Sequence, residues 1–333
     1  MEQPERPDFV VLQTRSAHPW SRISSASCRW AGDDTCIPTL VTPTTTSVPQ
    51  LLFAVNVGSD SLSVLSVHGE DVRLVQVVSS GGGFPASVAV SGDLVYVLDA
   101  GGSGTVTGYR IVGQHLVALP GSSRTLALSN ATPPFFLTSP GQIGFSQNGS
   151  ELIVTTKAST SSLDVFTMDP AGLLSATPTV TTDAGNVPFA FTFTHSGQLV
   201  TSEAAHSTLH TYALGSGGSL TSLSAPVSDG QSAGCWVTAA GAYYFVANAG
   251  SNDISAYTVA SDGTPSLVGT TSIVATTDAG PIDMAASADG NTLYVEAGAA
   301  GAIDEFHVNA DGSLTELGSV DGLGAGIEGI ATD

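Results

Sequence analysis

The stretch Tyr243–Val259 reads YYFVANAGSNDISAYTV and decides the fold of this chain. An apolar run ends at Asn248, a turn of small polar residues follows, and a second run then alternates apolar and polar residues. β-Branched and aromatic residues on both sides of a Gly-Ser-Asn turn are typical of a β-hairpin. The stretch therefore predicts two antiparallel strands joined by a tight turn.

The same hairpin pattern recurs along the chain. Further copies begin at Leu51, Leu94, Leu152, Leu199 and Thr292. Their spacing is roughly 40–50 residues, which is the period of a β-propeller blade, with one longer insertion in the second unit. Only 11% of the residues are charged, and no window shows sustained helical periodicity. The composition favours short strands and turns over helices.

Each repeat continues with a third strand-like run and then a run rich in small residues. These small-residue runs begin at Pro85, Pro140, Pro188, Ala233, Pro281 and Gly326. Strands crowd together near the axis of a propeller, where Gly and Ala allow a close approach, so we expect these runs to be the innermost strands. The sequence thus predicts an all-β protein, a β-propeller with six clear four-stranded repeats.

Residues 1–50 differ from the rest of the chain. They hold four of the seven arginines and two of the three cysteines, Cys28 and Cys36, but no copy of the repeat. We therefore divide the chain into an atypical N-terminal segment, residues 1–50, and a propeller domain, residues 51–333. The segment is interpreted either as a degenerate blade, which would make seven blades, or as a disordered extension.

The net charge of −21 limits the partners of this protein. Nucleic acids and anionic membranes both require cations on the protein surface, so we expect neither as a partner. No apolar run is long enough for a transmembrane helix, and Met1–Val11 does not resemble a signal peptide. As written, the sequence predicts a soluble cytoplasmic monomer. Export, if the N-terminus is mispredicted, would expose sequons at Asn130 and Asn148 to glycosylation.

Several motifs resemble one family of propellers. They are the hairpins FAVNVGSDSLSV and FVANAGSNDISAY, the VTSEA run at Val200, and the pair Cys235-Trp236. These are similar to the lactonase family of seven-bladed propellers, which includes 6-phosphogluconolactonase and 3-carboxymuconate lactonising enzymes. The resemblance extends from Leu51 to Asp333 and is more specific for the fold than for a reaction.

The resemblance implies hydrolysis of a lactone at a site where arginine and histidine bind anionic groups of the substrate. After residue 50 this chain has only Arg73, Arg110 and Arg124, on predicted outer strands or in the long loop. Bidentate binding of a phosphate or carboxylate group therefore looks absent. We expect a small-molecule substrate that is a neutral or weakly charged lactone.

Blade topology predicts where polar side chains collect. In an antiparallel blade, the start of the innermost strand and the end of the second strand emerge on the same face. The inner-strand starts carry Ser87, Gln142, Asp283 and Glu328. The second-strand ends carry Asn56, Asp99, Lys157, Glu203, Asn248 and Glu296. We expect all of these residues at one mouth of the central channel.

Two of these residues are the predicted catalytic groups. Lys157 is the only lysine, and a protonated lysine could stabilise an oxyanion; alternatively it forms a salt bridge with Glu203 or Asp99. Glu203 could act as general base for the attack of water on an ester carbonyl, or it could cap the following turn. The remaining predicted contacts to substrate are Asn56, Asp99, Gln142, Asn248, Asp283, Glu296 and Glu328.

Structural roles are alternative interpretations for several of these predicted substrate contacts as well. Asn56, Asp99 and Asn248 precede Gly-rich turns, where Asn and Asp side chains commonly bond their own backbone. Asp283 and Glu328 occupy matching positions and could share a proton or hold a cation, or they could be separate solvated carboxylates.

No sequence motif indicates a metal site or a cofactor. HExxH, CxxC and Walker patterns are all missing, and the spacing of His206 and His210 does not place them on one face. We therefore expect neither a metal nor a cofactor, and we expect Cys235 to be an inert core thiol.

Three hypotheses of function follow. The first is a hydrolase that opens a small lactone without a metal. The second is a non-catalytic propeller that binds a small molecule, a sugar or a protein at the channel mouth. The third, which the missing arginines disfavour, is a lactonising or cyclase activity on a muconate-type acid.

Overall fold

The computed structural model describes residues 12–15, 26–31, 35–40, 50–69 and 71–332, with side chains from residue 50 onward. The first three ranges are strands β1 (Leu12–Arg15), β2 (Ala26–Ala31) and β3 (Thr35–Leu40). Strands β2 and β3 form a two-stranded sheet of their own. Strand β1 pairs antiparallel with the strand that begins at Gln50 and so belongs to the first blade. The prediction of a degenerate blade or a disordered extension in residues 1–50 rests largely on residues outside those described.

Six antiparallel sheets form the blades of a β-propeller. Blade I contains β1, β4 (Gln50–Asn56), β5 (Ser61–His68) and β6 (Asp71–Ser79). Blade II contains β7 (Pro85–Ser91), β8 (Leu94–Asp99), β9 (Thr105–Val112), β10 (His115–Ala118) and β11 (Arg124–Thr125). Blade III contains β12 (Ile143–Phe145), β13 (Glu151–Thr155), β14 (Ser162–Thr167) and β15 (Thr179–Thr182).

The second half of the ring repeats this plan. Blade IV contains β16 (Pro188–Phe193), β17 (Leu199–Glu203), β18 (Thr208–Leu214), β19 (Leu220–Ser222) and β20 (Val227–Ser228). Blade V contains β21 (Gly234–Ala240), β22 (Tyr243–Asn248), β23 (Asp253–Val259), β24 (Pro265–Leu267) and β25 (Ile273–Thr276). Blade VI contains β26 (Pro281–Ala286), β27 (Thr292–Ala297), β28 (Ala302–Val308) and β29 (Leu314–Val320).

Helix is confined to three single turns of 3-10 helix in the described residues. They are Val57–Ser59, Phe136–Thr138 and Ser216–Gly218. The prediction of an all-β propeller with six four-stranded repeats is therefore confirmed. The hairpin Tyr243–Val259 is formed by β22 and β23, which pair Asn248 with Asp253 across the turn.

The hydrophobic core lies between neighbouring blades. Phe53 and Leu62 of blade I pack against Val88 and Val97 of blade II, and all four side chains are fully buried. Similar clusters join the following blades round to blades V and VI. Because each blade buries one face against the next, the stability of the ring comes from these shared interfaces rather than from any single sheet.

The C-terminal segment departs from the prediction of an inner strand from Gly326 to Thr332. It forms no regular strand and follows blade VI, where the Thr332 hydroxyl donates to the carbonyl of Ala286. Gly326 and Gly329 have φ values of 86° and 110°, outside the range of a β-strand. This irregular backbone brings Glu328 to the mouth of the channel.

Candidate functional site

A cavity of about 240 Å³ opens at the mouth of the channel. Its walls are mostly aromatic and aliphatic, and its charged groups are few: Lys157, Asp283 and Glu328. The apolar lining includes Phe84, Pro133, Pro134, Phe135, Phe136, Phe189, Trp236 and Ile282. A concave, largely apolar site with a few convergent polar groups is the usual form of a small-molecule site.

The long insertion between blades II and III supplies one wall of this cavity. It carries the run Pro133–Phe136 and continues to Gly141, at the entry to blade III. The backbone N–H of Ala158 donates to the carbonyl of Leu137, which ties the insertion to the turn that carries Lys157. The insertion is therefore part of the site and not a peripheral loop.

Lys157 lies in the turn after β13, with a left-handed φ of 47°. Its side chain is buried, and its Nζ sits 4.0 Å from the ring centre of Phe136 and 4.6 Å from that of Phe189. Aromatic faces attract a cation at these distances. Burial lowers the pKa of Lys157 to about 8, and the negative charge of Glu328 opposes that shift. None of the ion pairs found between described residues involves Lys157.

Glu328 is a carboxyl group that lines the same cavity as Lys157. It is half-buried at the cavity, and burial raises its pKa to about 7 while the positive charge of Lys157 acts in the opposite direction. A carboxyl with a pKa near neutrality can both accept and release a proton under ordinary conditions. The prediction placed Glu328 at the mouth, and the structure locates it there.

Two more buried carboxyl groups, those of Asp283 and Glu296, lie close enough to Glu328 to feel its charge. Asp283 and Glu296 face each other across β26 and β27, and both are buried. Burial raises the pKa of each well above its usual value, and the charge of Glu328 adds to both shifts. The Asp283 carboxyl accepts hydrogen bonds from the backbone N–H groups of Met284 and Ile330. Asp283 thereby fixes the backbone next to Glu328.

A second cavity of about 350 Å³ continues along the channel. Trp236 and Asp283 line both cavities, whereas Ser87 and Gln142 line only the second. The Gln142 side-chain oxygen accepts a hydrogen bond from the backbone N–H of Phe191, so it holds blade III against blade IV. The predicted inner-strand residues Ser87, Gln142, Asp283 and Glu328 therefore each line at least one of the two cavities.

The second-strand residues do not all reach the mouth. Asn56 donates to Ser61 and Ser63 of the next strand, and Asn248 donates in the same way to Asp253 and Ser255. These bonds join two strands within one blade. They differ from the predicted bonds to the local backbone.

Asp99 occupies the same position in blade II. It is fully buried, and neither of its carboxylate oxygens has a hydrogen-bond partner. Burial raises its pKa to about 6, and the nearby hydroxyl of Ser80, which donates to the carbonyls of Asp60 and Gly82, acts in the opposite direction. Asn56, Asp99 and Asn248 are not among the residues that line either cavity.

Glu203 also lines neither cavity, so it is separated from Lys157. One oxygen of its fully buried carboxylate accepts a hydrogen bond from Thr208 at 2.5 Å, and the other lies 2.6 Å from Nδ1 of His210. Asp183, at the end of blade III, lies beside them, and burial together with the charge of Glu203 raises its pKa to about 6. The predicted pair of Glu203 and Lys157 therefore does not converge on one point.

The alternation of side chains along a strand explains this difference. Thr156, Glu203 and Asn248 occupy equivalent positions and bond forward to the third strand of their own blade. Lys157 lies one residue further along the chain than Thr156, and one residue reverses the face to which a side chain points. The sequence repeat aligns the strand ends only to within one residue. Such an alignment cannot tell to which face of the sheet a side chain points.

Several aromatic residues that line the cavity are not among the predicted site residues. Phe136, Phe189 and Trp236 form much of its wall. Cys235, next to Trp236, is a free buried thiol, and burial raises its pKa to about 12. The three arginines after residue 50 lie elsewhere: Arg73 pairs with Asp71, Arg110 with Asp93, and Arg124 binds backbone carbonyls such as that of Ser175.

Comparison with known proteins agrees with this architecture. A family model described as lactonase, 7-bladed β-propeller, matches residues 211–325. The resemblance to the lactonase family is confirmed. Comparison of the sequence with curated proteins gives no match.

Solved structures similar to this chain include lactonase propellers. A provisionally assigned 6-phosphogluconolactonase from Bacteroides fragilis has a TM-score of 0.73 at 14% identity, covering 96% of this chain and 99% of that one. One from Bacteroides uniformis, equally provisional, has a TM-score of 0.72 at 17% identity, covering 90% and 96%. The periplasmic gluconolactonase PpgL of Pseudomonas aeruginosa has a TM-score of 0.68 at 14% identity, covering 90% and 96%. At these identities the likeness establishes the fold. No helix in the described part of the chain is long and apolar enough to cross a membrane.

Proposed function

We propose that this protein hydrolyses a small, neutral or weakly charged lactone in the cavity that holds Lys157 and Glu328. The observation that carries the proposal is the isolated lysine, enclosed by Phe136 and Phe189 and accompanied by a carboxyl group of near-neutral pKa. The likeness to propellers of the lactonase family supports the reaction class.

The proposed reaction begins with Glu328 in its ionised form. Its carboxylate removes a proton from water, and the water oxygen attacks the carbonyl carbon of the lactone. The carbonyl oxygen becomes an oxyanion, which the ammonium group of Lys157 stabilises inside a site of low dielectric constant. The ring C–O bond then breaks, the alkoxide takes the proton from Glu328, and a hydroxy acid leaves.

The lining of the cavity limits the substrate. None of the arginines whose side chains the structure describes lies in the wall, so among the described residues a phosphate or carboxylate group of the substrate would find only Lys157 as a cationic partner. The carboxyl groups of Asp283 and Glu328 would repel a second negative charge. We therefore favour lactones with apolar substituents over 6-phosphogluconolactone and over muconate-type acids.

The test is a panel of five- and six-membered lactones, with and without a phosphate group, followed by acid release. For any lactone that is turned over, we expect Glu328→Gln to reduce kcat by about a hundredfold. Lys157→Met should reduce it by roughly a hundredfold to a thousandfold, as expected for the loss of oxyanion stabilisation. Glu305→Gln, on blade VI and outside the cavity lining, is the matched control and should leave turnover unchanged.

Two outcomes would contradict the proposal. Full activity of Glu328→Gln with inactivity of Glu203→Gln would assign the base to Glu203, as the sequence alone suggested. Tight binding of lactones or aromatic compounds without any turnover would favour the second candidate, a propeller that binds a small molecule. The apolar lining of the cavity is the observation that supports this second candidate.

A further inference from the structure

A second group of buried functional side chains lies between blades III and IV. It consists of Asp183, which follows β15, and of Glu203 and His210, which lie on β17 and β18. Each residue offers one possible ligand atom: a carboxylate oxygen of Asp183, a carboxylate oxygen of Glu203 and a ring nitrogen of His210. These three atoms all lie within 4.8 Å of one another. None of the three residues lines the cavity of Lys157.

Equivalent positions in other blades are filled differently. Blade I has Asn56, whose amide donates to Ser61 and Ser63, and blade V has Asn248, whose amide donates to Asp253 and Ser255. In those blades an amide donor meets hydroxyl or carboxylate acceptors. In blade IV the amide is replaced by Glu203, which meets Thr208 and His210, and a further carboxylate, Asp183, lies against it, so two carboxylates face each other.

One oxygen in this group has no hydrogen-bond partner. Asp183 is 7% exposed, and its Oδ1 accepts a hydrogen bond from the Asn186 side chain at 2.6 Å, but its Oδ2 has no donor, and the carboxyl group of Glu203 lies within hydrogen-bond reach of Asp183. A buried carboxylate oxygen without a donor is costly unless a proton or a cation compensates it. His210, the group here that can carry a positive charge, pairs with Glu203, and no ion pair found between described residues involves Asp183.

The orientation of His210 fits a metal ligand. The Ser222 hydroxyl lies 2.7 Å from Nε2 of His210 and donates its own hydrogen to the carbonyl of Ser224. Ser222 can therefore only accept from Nε2–H, and Nδ1 either donates a second proton to Glu203, as in an ion pair, or offers its lone pair to a metal ion beside Glu203. Metal-binding histidines are commonly held in this way, with the other ring nitrogen donating to an oxygen. The Tyr212 hydroxyl, 2.8 Å from Nδ1, adds another oxygen at the edge of the group.

We propose that Asp183, Glu203 and His210 bind one divalent transition-metal ion of the zinc or manganese type, which links blade III to blade IV. Two carboxylates and one imidazole are ligands that both ions accept. The ion would offset the two negative charges and satisfy the free oxygen of Asp183. Its role is structural, because the ligands face the space between blades and not the cavity.

The test uses the full chain after treatment with EDTA and dialysis. Titration with Zn²⁺ and Mn²⁺ by calorimetry should give one site, and a metal concentration a hundred times Kd should raise Tm by about 5 °C. Asp183→Asn and His210→Gln should each weaken binding at least tenfold and, at the same metal concentration, reduce the rise in Tm to about half or less. Binding that is equal in wild type and Asp183→Asn would place the ion elsewhere in the chain and overturn the proposal.

Asp229→Asn is the matched control. The backbone N–H of Asp229 donates to Ser207 as that of Asp183 donates to Ser161, and its Oδ2 also lacks a partner. However, Asp229 faces Asn248 and Ser255 instead of Glu203 and His210. This variant should keep the affinity and the Tm rise of wild type. Equal loss of binding in both aspartate variants would trace the loss to a general effect on the fold and overturn the assignment of Asp183 as a ligand. No rise in Tm of wild type with either ion would mean that protons alone balance the charges at Asp183 and Glu203.

Discussion

Replacing Asp99 by Asn should stabilise the protein, and the gain should depend on pH. Asp99 is fully buried, both of its oxygens lack partners, and burial raises its pKa to about 6 from the ordinary value of 3.8. Because the pKa is higher in the folded state, the contribution of this carboxyl group to stability is fully present below pH 3.8 and is lost as the pH rises through 6. At pH 8 the buried charge costs roughly 3 kcal/mol, at about 1.4 kcal/mol per pH unit.

The position of Asp99 favours an amide. Asn56 and Asn248 occupy the same place in blades I and V and donate to the strand that follows. In blade II the corresponding acceptor is Thr107, whose buried hydroxyl oxygen has no partner. The new amide could donate to it, so the loss of the charge should not leave an unsatisfied donor.

Urea unfolding of wild type and Asp99→Asn at pH 4 and pH 8 measures this effect. We expect the variant to be more stable by about 2–3 kcal/mol at pH 8 and by much less at pH 4. Asn56→Asp, the reverse change in blade I, should destabilise the protein at pH 8. A gain for Asp99→Asn that is equal at both pH values, or a loss at pH 8, would refute the role assigned to the buried charge.

Further predictions concern the cavity. If a lactone is turned over, kcat/KM should rise through pH 7 as Glu328 ionises and fall above pH 8 as Lys157 loses its proton; a flat profile between pH 6 and 9 would exclude this pair. Gly141→Ala should raise KM and lower Tm, measured by kinetics and calorimetry, because the added Cβ would lie 2.2 Å from the carbonyl oxygen of Phe189. Phe136→Ala should weaken binding of an aromatic lactone at least tenfold by titration, because Phe136 forms part of the wall; unchanged affinity would remove it from the site.

The sequence predicted the fold because the repeat is regular. Each copy of the hairpin contains its own turn residues, and six such copies are compatible with one architecture. The candidate site was harder to predict from the sequence. Lys157 and Glu328 were identified as residues of the mouth, but Glu203 was assigned to the same place because an alignment of strand ends ignores a difference of one residue.

Other parts of the site carry no repeat signal. The wall formed by Pro133–Phe136 belongs to an insertion, so its position depends on tertiary contacts such as the bond from Ala158 to Leu137. The cluster of Asp183, Glu203 and His210 joins two blades, and its first member is separated from the others by a whole strand. Local spacing cannot reveal ligands that only the packing of blades brings together.

The single lysine of this chain has a chemical consequence. Lactones acylate unprotonated amines, and a protein rich in exposed lysine would be modified by a substrate of this kind. Here the only side-chain amine is Lys157, 2% exposed, and no described surface residue offers another. The negative charge of Glu328 favours the protonated form of that amine, which is not nucleophilic. The protein therefore presents almost no amine for damage by the compounds that it is proposed to handle.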